Sequence, residues 1–243
     1  MTQATSLATT TPSSTTLQDM FDRLARRYDI FNRLTSLGLH NVWRRKALQF
    51  VRPGMRILDL GCGTGDLTLG SARRLQGSGE VTGLDFSEKM LVIAKKRAQS
   101  QGLTGVRWER RSAEEIPFEE TPYDAVVSGF VLRNIYENID AILRGVYESL
   151  KPGGKISFLD FTEPQDPVRK GLFRFYMNRV AGLYGAMLFG KDYPAPYLTE
   201  SAERFAKIPE FMAKLERTGF KNIAAKQAML GIIVLYQGTK PSS

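Results

Sequence analysis

Short apolar runs alternate with amphipathic stretches along most of this chain. Runs at 56–60, 80–84, 106–110, 123–128 and 155–161 read as strands, and stretches near 65–75, 87–101 and 137–150 carry apolar residues at helical spacing. Gly102, Pro117 and the Pro152-Gly153-Gly154 turn punctuate the series. Regular strand–helix alternation implies a parallel sheet with helices on both faces. Before it, Leu17 to Tyr28 reads helical, with Met20, Leu24 and Tyr28 four apart, followed by an aromatic stretch to Trp43 and the basic run Arg44-Arg45-Lys46. After it come a helical insertion over about 166–190, a helix at 208–218 capped by Gly219, and strands at 221–227 and 230–238. There is no internal repeat and no linker after residue 17, so a single domain is expected over 18–240, with a helical cap at 18–50 and a helical lid at 166–205.

The length of 243 residues suits one such domain. Residues 1–17 are rich in Thr and Ser, with no charge through Thr16, and read as a disordered tail. The N-terminus lacks the layout of a signal peptide, and no apolar run approaches the ~20 residues needed to span a bilayer. The single cysteine, Cys62, rules out an internal disulfide and reads as a small buried space-filler. Cys and His are too few for a zinc site of the usual kind, so no metal is expected. The net charge of +9 admits nucleic acid, an anionic membrane surface or an acidic substrate as partner. Basic residues are not clustered as a nucleic-acid groove needs, so no nucleic acid is expected.

The candidate chemistry starts at Arg56-Ile-Leu-Asp-Leu-Gly-Cys-Gly-Thr-Gly-Asp66, a strand running into a turn with glycines at 61, 63 and 65. A second strand then ends on Asp85. Glycines let backbone N–H groups approach a ligand, and a strand-end carboxylate accepts two ribose hydroxyls, so the pair reads as a nucleoside-cofactor site. A dinucleotide turn would be G-x-G-x-x-G. Here the position three after Gly63 is Asp66, an anion where a pyrophosphate would sit. Asp59, just before the turn, suits a cationic amino acid or sulfonium. The spacing favours S-adenosylmethionine.

Ligands of open α/β sheets lie beyond the carboxyl ends of the strands, which gathers the loops 61–66, 85–87, 111–114 and 129–134. Ser112 and the backbone of Ala113 are expected at an adenine edge, with Phe86 or Ile116 against its face. Arg133 and Asn134, directly after Phe130-Val131-Leu132, are candidates to orient an acceptor oxygen. His40, the only histidine, sits among Tyr28, Phe31 and Trp43 and is the candidate base, because desolvation tunes an imidazole toward a working pKa. The 166–190 insertion mixes Phe173, Phe175, Tyr176, Leu183, Met187 and Phe189 with Arg169, Lys170, Arg174 and Arg179. This composition suits a lid over a greasy acceptor that also touches a membrane surface.

Taken together, these blocks resemble the ubiquinone/menaquinone-biosynthesis C-methyltransferase family from about residue 18 onward. The matching segments are Tyr28-Asp29-x-x-Asn32 … Ser36-x-x-x-His40-x-x-Trp43, then Phe130-Val131-Leu132-Arg133-Asn134, where the family has Gly at 131, and Leu150-Lys-Pro-Gly-Gly-Lys-Ile156 leading to Asp160-Phe-Thr162. Pro196-Tyr-Leu-Thr-Glu-Ser201 and Gly231-Ile-Ile-Val-Leu235 extend the match. The resemblance implies a Rossmann-like seven-stranded α/β methyltransferase sheet, mostly parallel, with an antiparallel closing strand and a helical insertion before the last helix. It implies S-adenosylmethionine contacts at Thr64, Asp85, Ser112 and Ala113, with Gly129 offering backbone where some members place a Ser. With the turn itself, the expected cofactor residues are Asp59, Gly61, Gly63, Thr64, Gly65, Asp85, Phe86, Ser112, Ala113 and Gly129. The implied reaction methylates a ring carbon of a polyprenylated benzoquinol or naphthoquinol. Another lipophilic acceptor, such as a phospholipid amine or polyketide, stays open, as does a non-catalytic cofactor-binding subunit of a quinone-biosynthesis assembly. The expected location is cytoplasmic, with peripheral contact on the inner face of the cytoplasmic membrane, and a homodimer is left open.

Overall fold

Why the alternating runs become one sheet is visible in which side of each strand is buried. In a computed structural model, the residues described are 39–116, 121–162, 166–190 and 207–242, with positions 22, 23, 25, 27, 30, 31, 34, 164 and 205. The 1–17 tail, Tyr28, Asn32, Pro117 and the block 196–201 lie outside the described residues. The strands are β1 (Arg56–Leu60), β2 (Glu80–Asp85), β3 (Val106–Arg110), β4 (Tyr123–Gly129), β5 (Leu150–Phe161), β6 (Lys221–Ala228) and β7 (Ile233–Thr239). The helices used here are α1 (Leu39–Ala47), α2 (Asp66–Leu75), α3 (Glu88–Ser100), α4 (Ile139–Ser149), α5 (Pro167–Phe175), α6 (Gly182–Phe189) and α7 (Ile208–Thr218).

The seven strands form one sheet in the order β3-β2-β1-β4-β5-β7-β6. Strands β1 to β5 pair in parallel, and β7 runs antiparallel to both β5 and β6. Side-chain alternation divides the core in two. Leu58, Leu60, Val126, Ile156, Phe158, Val234 and Tyr236 face α4 and α7 on one side. Ile57, Val127, Leu159, Ile233 and Leu235 face α1 and α2 on the other. In α4, Ile139, Ile142, Leu143 and Val146 form the buried stripe that periodicity predicts.

Three boundaries differ from the sequence reading. Strand β5 reaches back to Leu150, because Tyr123 pairs with Leu150 while Ala125 pairs with Lys155, so Lys151 to Gly154 bulge out of the ladder. The final strand begins at Ile233, after a 3₁₀ turn at Met229–Gly231. Two 3₁₀ turns, Leu132–Asn134 and Tyr136–Asn138, precede α4 and keep the expected acceptor loop close to the end of β4. Strand order reverses at β1, which pairs with β2 on one side and β4 on the other. Open α/β sheets bind ligands at such a switch point.

Candidate active site

At the switch point the β1–α2 loop crosses the carboxyl end of the sheet. Gly61 has φ +69°, and a Cβ there would lie 2.5 Å from Cγ2 of Val131, so only glycine lets this loop approach the β4 loop so closely. Gly63, at φ +54°, has nothing within 4 Å of where a Cβ would stand. Both glycines line a cavity of about 590 Å³, within the range of small-molecule sites.

One wall is the β2 terminus. Asp85 is almost fully buried; its Oδ2 accepts from the Gly63 N–H and its Oδ1 from the Ser87 N–H, both at 2.8 Å. Burial pushes its pKa up to about 6 despite those bonds. An ionised carboxylate offers about four lone-pair sites, so Asp85 retains acceptor capacity toward the cavity. Phe86, Ser112 and Ala113 line the same end. Ser112 Oγ accepts from the Glu114 N–H at 3.3 Å, a local turn bond that fixes the loop.

Asp59 projects beneath the glycine loop. Its Oδ2 accepts from Thr68 Oγ1 at 2.6 Å, whereas its Oδ1 is buried with no hydrogen-bond partner among the described residues. Burial pushes this carboxyl up to about 7, against the Thr68 hydrogen bonds, and nearby Asp85 adds to the rise. A buried carboxylate with one unsatisfied oxygen on a cavity wall is suited to a cationic group. Thr64 is held from behind: Arg97 Nη1 donates to its carbonyl at 2.9 Å and to its Oγ1 at 3.0 Å.

Asp66 lines the cavity with its charge already paired. Its carboxylate pairs with Arg97 at 2.6 Å and Arg44 at 2.7 Å. Burial raises its pKa, but these guanidinium groups, with His40 adding to them, overcome that and hold it below the usual carboxylate range. His40 itself is buried in α1, outside the cavity lining, and its charge contributes to lowering the Asp66 pKa.

The other wall follows β4. Gly129, Phe130, Val131 and Asn134 line the cavity. At Gly129 a Cβ would stand 3.0 Å from Leu67 Cδ1, so the absence of a side chain keeps this edge thin. Phe130 adopts φ +65°, a costly conformation for a bulky residue. It is locked there by its N–H donating to the Leu159 carbonyl at 2.6 Å and by its carbonyl accepting from Arg133 Nη1 at 2.9 Å. The same Nη1 pairs with Asp160 Oδ1 at 2.8 Å, and the Arg133 backbone N–H donates to Asp160 Oδ2 at 3.2 Å. Arg133 is buried, its guanidinium also lies over Phe161, and it is not part of the lining. Through these bonds Arg133 braces the loop that presents Phe130 and Asn134. The structure thus gathers Asp59, Gly61, Gly63, Thr64, Asp85, Phe86, Ser112, Ala113, Gly129 and Asn134 on one cavity, while Gly65, His40 and Arg133 lie behind it.

Sequence reasoning missed Arg44, Arg97 and Asp160. Arg44 opens a basic run that resembles a solvated face, and Arg97 sits in the last turn of α3, where a cation is ordinary. Asp160 left a signal, because an acid inside the apolar run Phe158-Leu-Asp-Phe161 requires a buried partner.

Residues 9–240 match the model of the ubiE/COQ5 methyltransferase family. The chain belongs to that family. It is 34% identical over 227 residues to demethylmenaquinone methyltransferase of Lactiplantibacillus plantarum, covering 92% of this chain and 95% of the relative. It is 35% identical to the ubiquinone/menaquinone biosynthesis C-methyltransferase UbiE of Geotalea daltonii, covering 92% and 96%. Among solved structures, a methyltransferase from Aquifex aeolicus superposes with a TM-score of 0.62 at 17% identity, covering 91% of this chain and 97% of that one. A Haemonchus contortus phosphoethanolamine N-methyltransferase in complex with S-adenosylhomocysteine gives 0.67 at 17%, covering 91% and 60%. These structural likenesses show the fold. With its family membership, the chain is an S-adenosylmethionine-dependent methyltransferase.

Proposed function

We propose that this enzyme methylates a ring carbon of a polyprenylated quinol, a demethylmenaquinol or a methoxy-polyprenyl-benzoquinol. The names carried by its relatives support that acceptor class. The observation that carries the reading is one cavity that joins Asp85, the partnerless oxygen of Asp59 and the Phe130–Asn134 loop. In this reading Asp85 holds the ribose, Phe86, Ser112 and Ala113 border the adenine, and Asp59 faces the cationic end of the cofactor, with Gly61, Gly63 and Thr64 lining the turn. The bound cofactor supplies an electrophilic methyl group on a sulfonium.

The chain's own contribution is alignment and proton removal. Holding donor and ring in line is worth roughly 7–11 kcal/mol. Asn134 both donates and accepts, so it orients the quinol hydroxyl, whose proton leaves through water to bulk solvent as the ring carbon takes the methyl. Arg133 serves as a positioning residue through Phe130 and Asp160, and His40 acts through Asp66. The helices before β1 and after β5 form the cap and lid of a single domain, and the enzyme works against the inner face of the cytoplasmic membrane, where a prenylated acceptor resides. No described helix is long and apolar enough to cross a membrane.

Mass spectrometry of the quinone pool in a strain lacking the gene tests the acceptor. Accumulation of a quinone short of one ring methyl, reversed by the wild-type gene and not by an Asp85→Asn copy, is expected. An unchanged quinone pool would sink the assignment.

A further inference from the structure

The segment after β5 has apolar residues on two sides, and only one side meets the body of the protein. On the inner side Phe173, Ala181 and Gly185 are buried. On the outer side Val168, Leu172 and Phe175 of α5 follow at spacings of four and three, one stripe along the helix, and Leu183 and Met187 of α6 repeat the spacing of four. All five are more than half exposed, from 55% at Leu172 to 80% at Val168. A π-helical turn, Tyr176–Ala181, links the two helices without an intervening loop, so the stripes belong to one continuous helical segment. Its far end is anchored by Phe31 against Phe189, with ring centroids 5.6 Å apart, and by Arg27 donating to the Leu188 carbonyl.

Charge selects what such a face meets. Between residues 167 and 190 there are three arginines and one lysine and no Asp or Glu. Arg169 and Arg174 flank the α5 stripe at roughly 100° to either side, given 3.6 residues per turn, and both are exposed. Apart from the N-cap Asp166, whose side chain accepts from the Arg169 N–H, the charged residues along this segment are cations, which fits an interface of acyl chains beneath anionic headgroups. A second protein copy would bring the same four cations against each other across a twofold axis.

We propose that the outer face of Pro167–Phe189 is the surface by which this enzyme docks on an anionic lipid bilayer. The proposal rests on the reading of a lipophilic acceptor, and it adds the residues by which the enzyme would reach the membrane that holds it. The aromatic and aliphatic side chains enter the interfacial layer while Arg169 and Arg174 meet lipid phosphates.

The test is co-sedimentation of the full chain with vesicles of phosphatidylglycerol and phosphatidylcholine in equal parts, and with phosphatidylcholine alone. Wild type should sediment with the anionic vesicles and be released by about 1 M salt, where the screening length falls to ~3 Å. A Val168→Ser/Leu172→Ser variant should bind them about tenfold less or worse, because exposed apolar area sets interfacial affinity. Its turnover on a short-chain quinol dispersed in buffer should match wild type, while its turnover on vesicle-borne quinol falls. Wild type remaining in the supernatant, equal binding to both vesicle types, or undiminished binding by the variant would each overturn the proposal. So would a wild-type dimer that the variant converts to monomer, since a second copy then covers the face. Vesicle binding without quinol methylation would refute the acceptor and leave the surface standing; methylation of dispersed quinol without vesicle binding would do the reverse.

Discussion

Replacing Gly61 by Ala tests the packing of the cofactor turn most severely. The backbone there has φ +69°, which costs a non-glycine residue roughly 1–2 kcal/mol. The new Cβ would also stand 2.5 Å and 2.7 Å from the two γ-methyls of Val131. Overpacking of that kind costs typically about 1–3 kcal/mol. Adding the two, Gly61→Ala should destabilise the protein by about 2–5 kcal/mol and weaken cofactor binding, because the loop must retreat from the β4 edge. The contribution from Val131 is separable. Val131→Ala removes both γ-methyls and leaves only its Cβ, at 3.1 Å. The double variant should therefore recover about 1–3 kcal/mol relative to the sum of the singles and keep only the backbone penalty. Urea unfolding and calorimetric titration of S-adenosylmethionine on the four proteins complete the cycle. A Gly61→Ala variant within about 0.5 kcal/mol of wild type, or strictly additive effects, would refute the close approach of the two loops.

Asp85→Asn keeps the shape but leaves one of the two N–H groups, from Gly63 or Ser87, without a carboxylate oxygen; cofactor affinity should fall about 10–100-fold by calorimetry, since hydrogen bonds to charged groups are worth about 1.5–3 kcal/mol. Asp59 predicts a pH profile: its pKa is raised to about 7, and a cationic ligand favours the ionised form, so cofactor affinity should climb from about pH 5 to about pH 7, level off above, and lose that dependence in Asp59→Asn. The stability sign is opposite to that of a salt-bridged acid. The folded state holds the proton more tightly than the unfolded one, so Asp59 costs stability increasingly as pH rises from about 4 to about 7, and Asp59→Asn should gain in melting temperature at about pH 8 and not at about pH 4. Asp160→Asn strands the buried Arg133 cation and should cost about 3–5 kcal/mol, with kcat reduced and cofactor Kd nearly unchanged; Arg133→Met in the same chain should restore much of the stability and not the turnover, and an unaltered kcat would argue against Arg133 as the brace of the loop.

The sheet was legible because its strands are marked twice, by apolar runs and by the turn residues between them. The cofactor end was legible for a similar reason: the glycines and Asp85 lie on consecutive strand ends, where local sequence dictates position. What resisted reading depends on partners distant along the chain. Arg133 looked like a side chain thrust at an acceptor because its partner Asp160 lies 27 positions away, on a neighbouring strand. The pairing of Asp66 left no local signal because Arg44 and Arg97 reach it from helices on either side in the sequence. The left-handed Phe130 had no signal at all, since glycine is the residue that announces such a backbone and none stands there.

The central claim is that this cavity moves a methyl group from S-adenosylmethionine to a quinol ring carbon. Purified enzyme incubated with trideuteriomethyl-labelled cofactor and demethylmenaquinol or methoxy-polyprenyl-benzoquinol tests it directly, with the product examined by mass spectrometry and carbon NMR. The account predicts a deuterated methyl on a ring carbon, formed one-for-one with S-adenosylhomocysteine and, at cofactor concentrations well below Kd, slowed about 10–100-fold by Asp85→Asn. A label found on oxygen or nitrogen, or no transfer to either quinol by a protein that binds the cofactor, would contradict it.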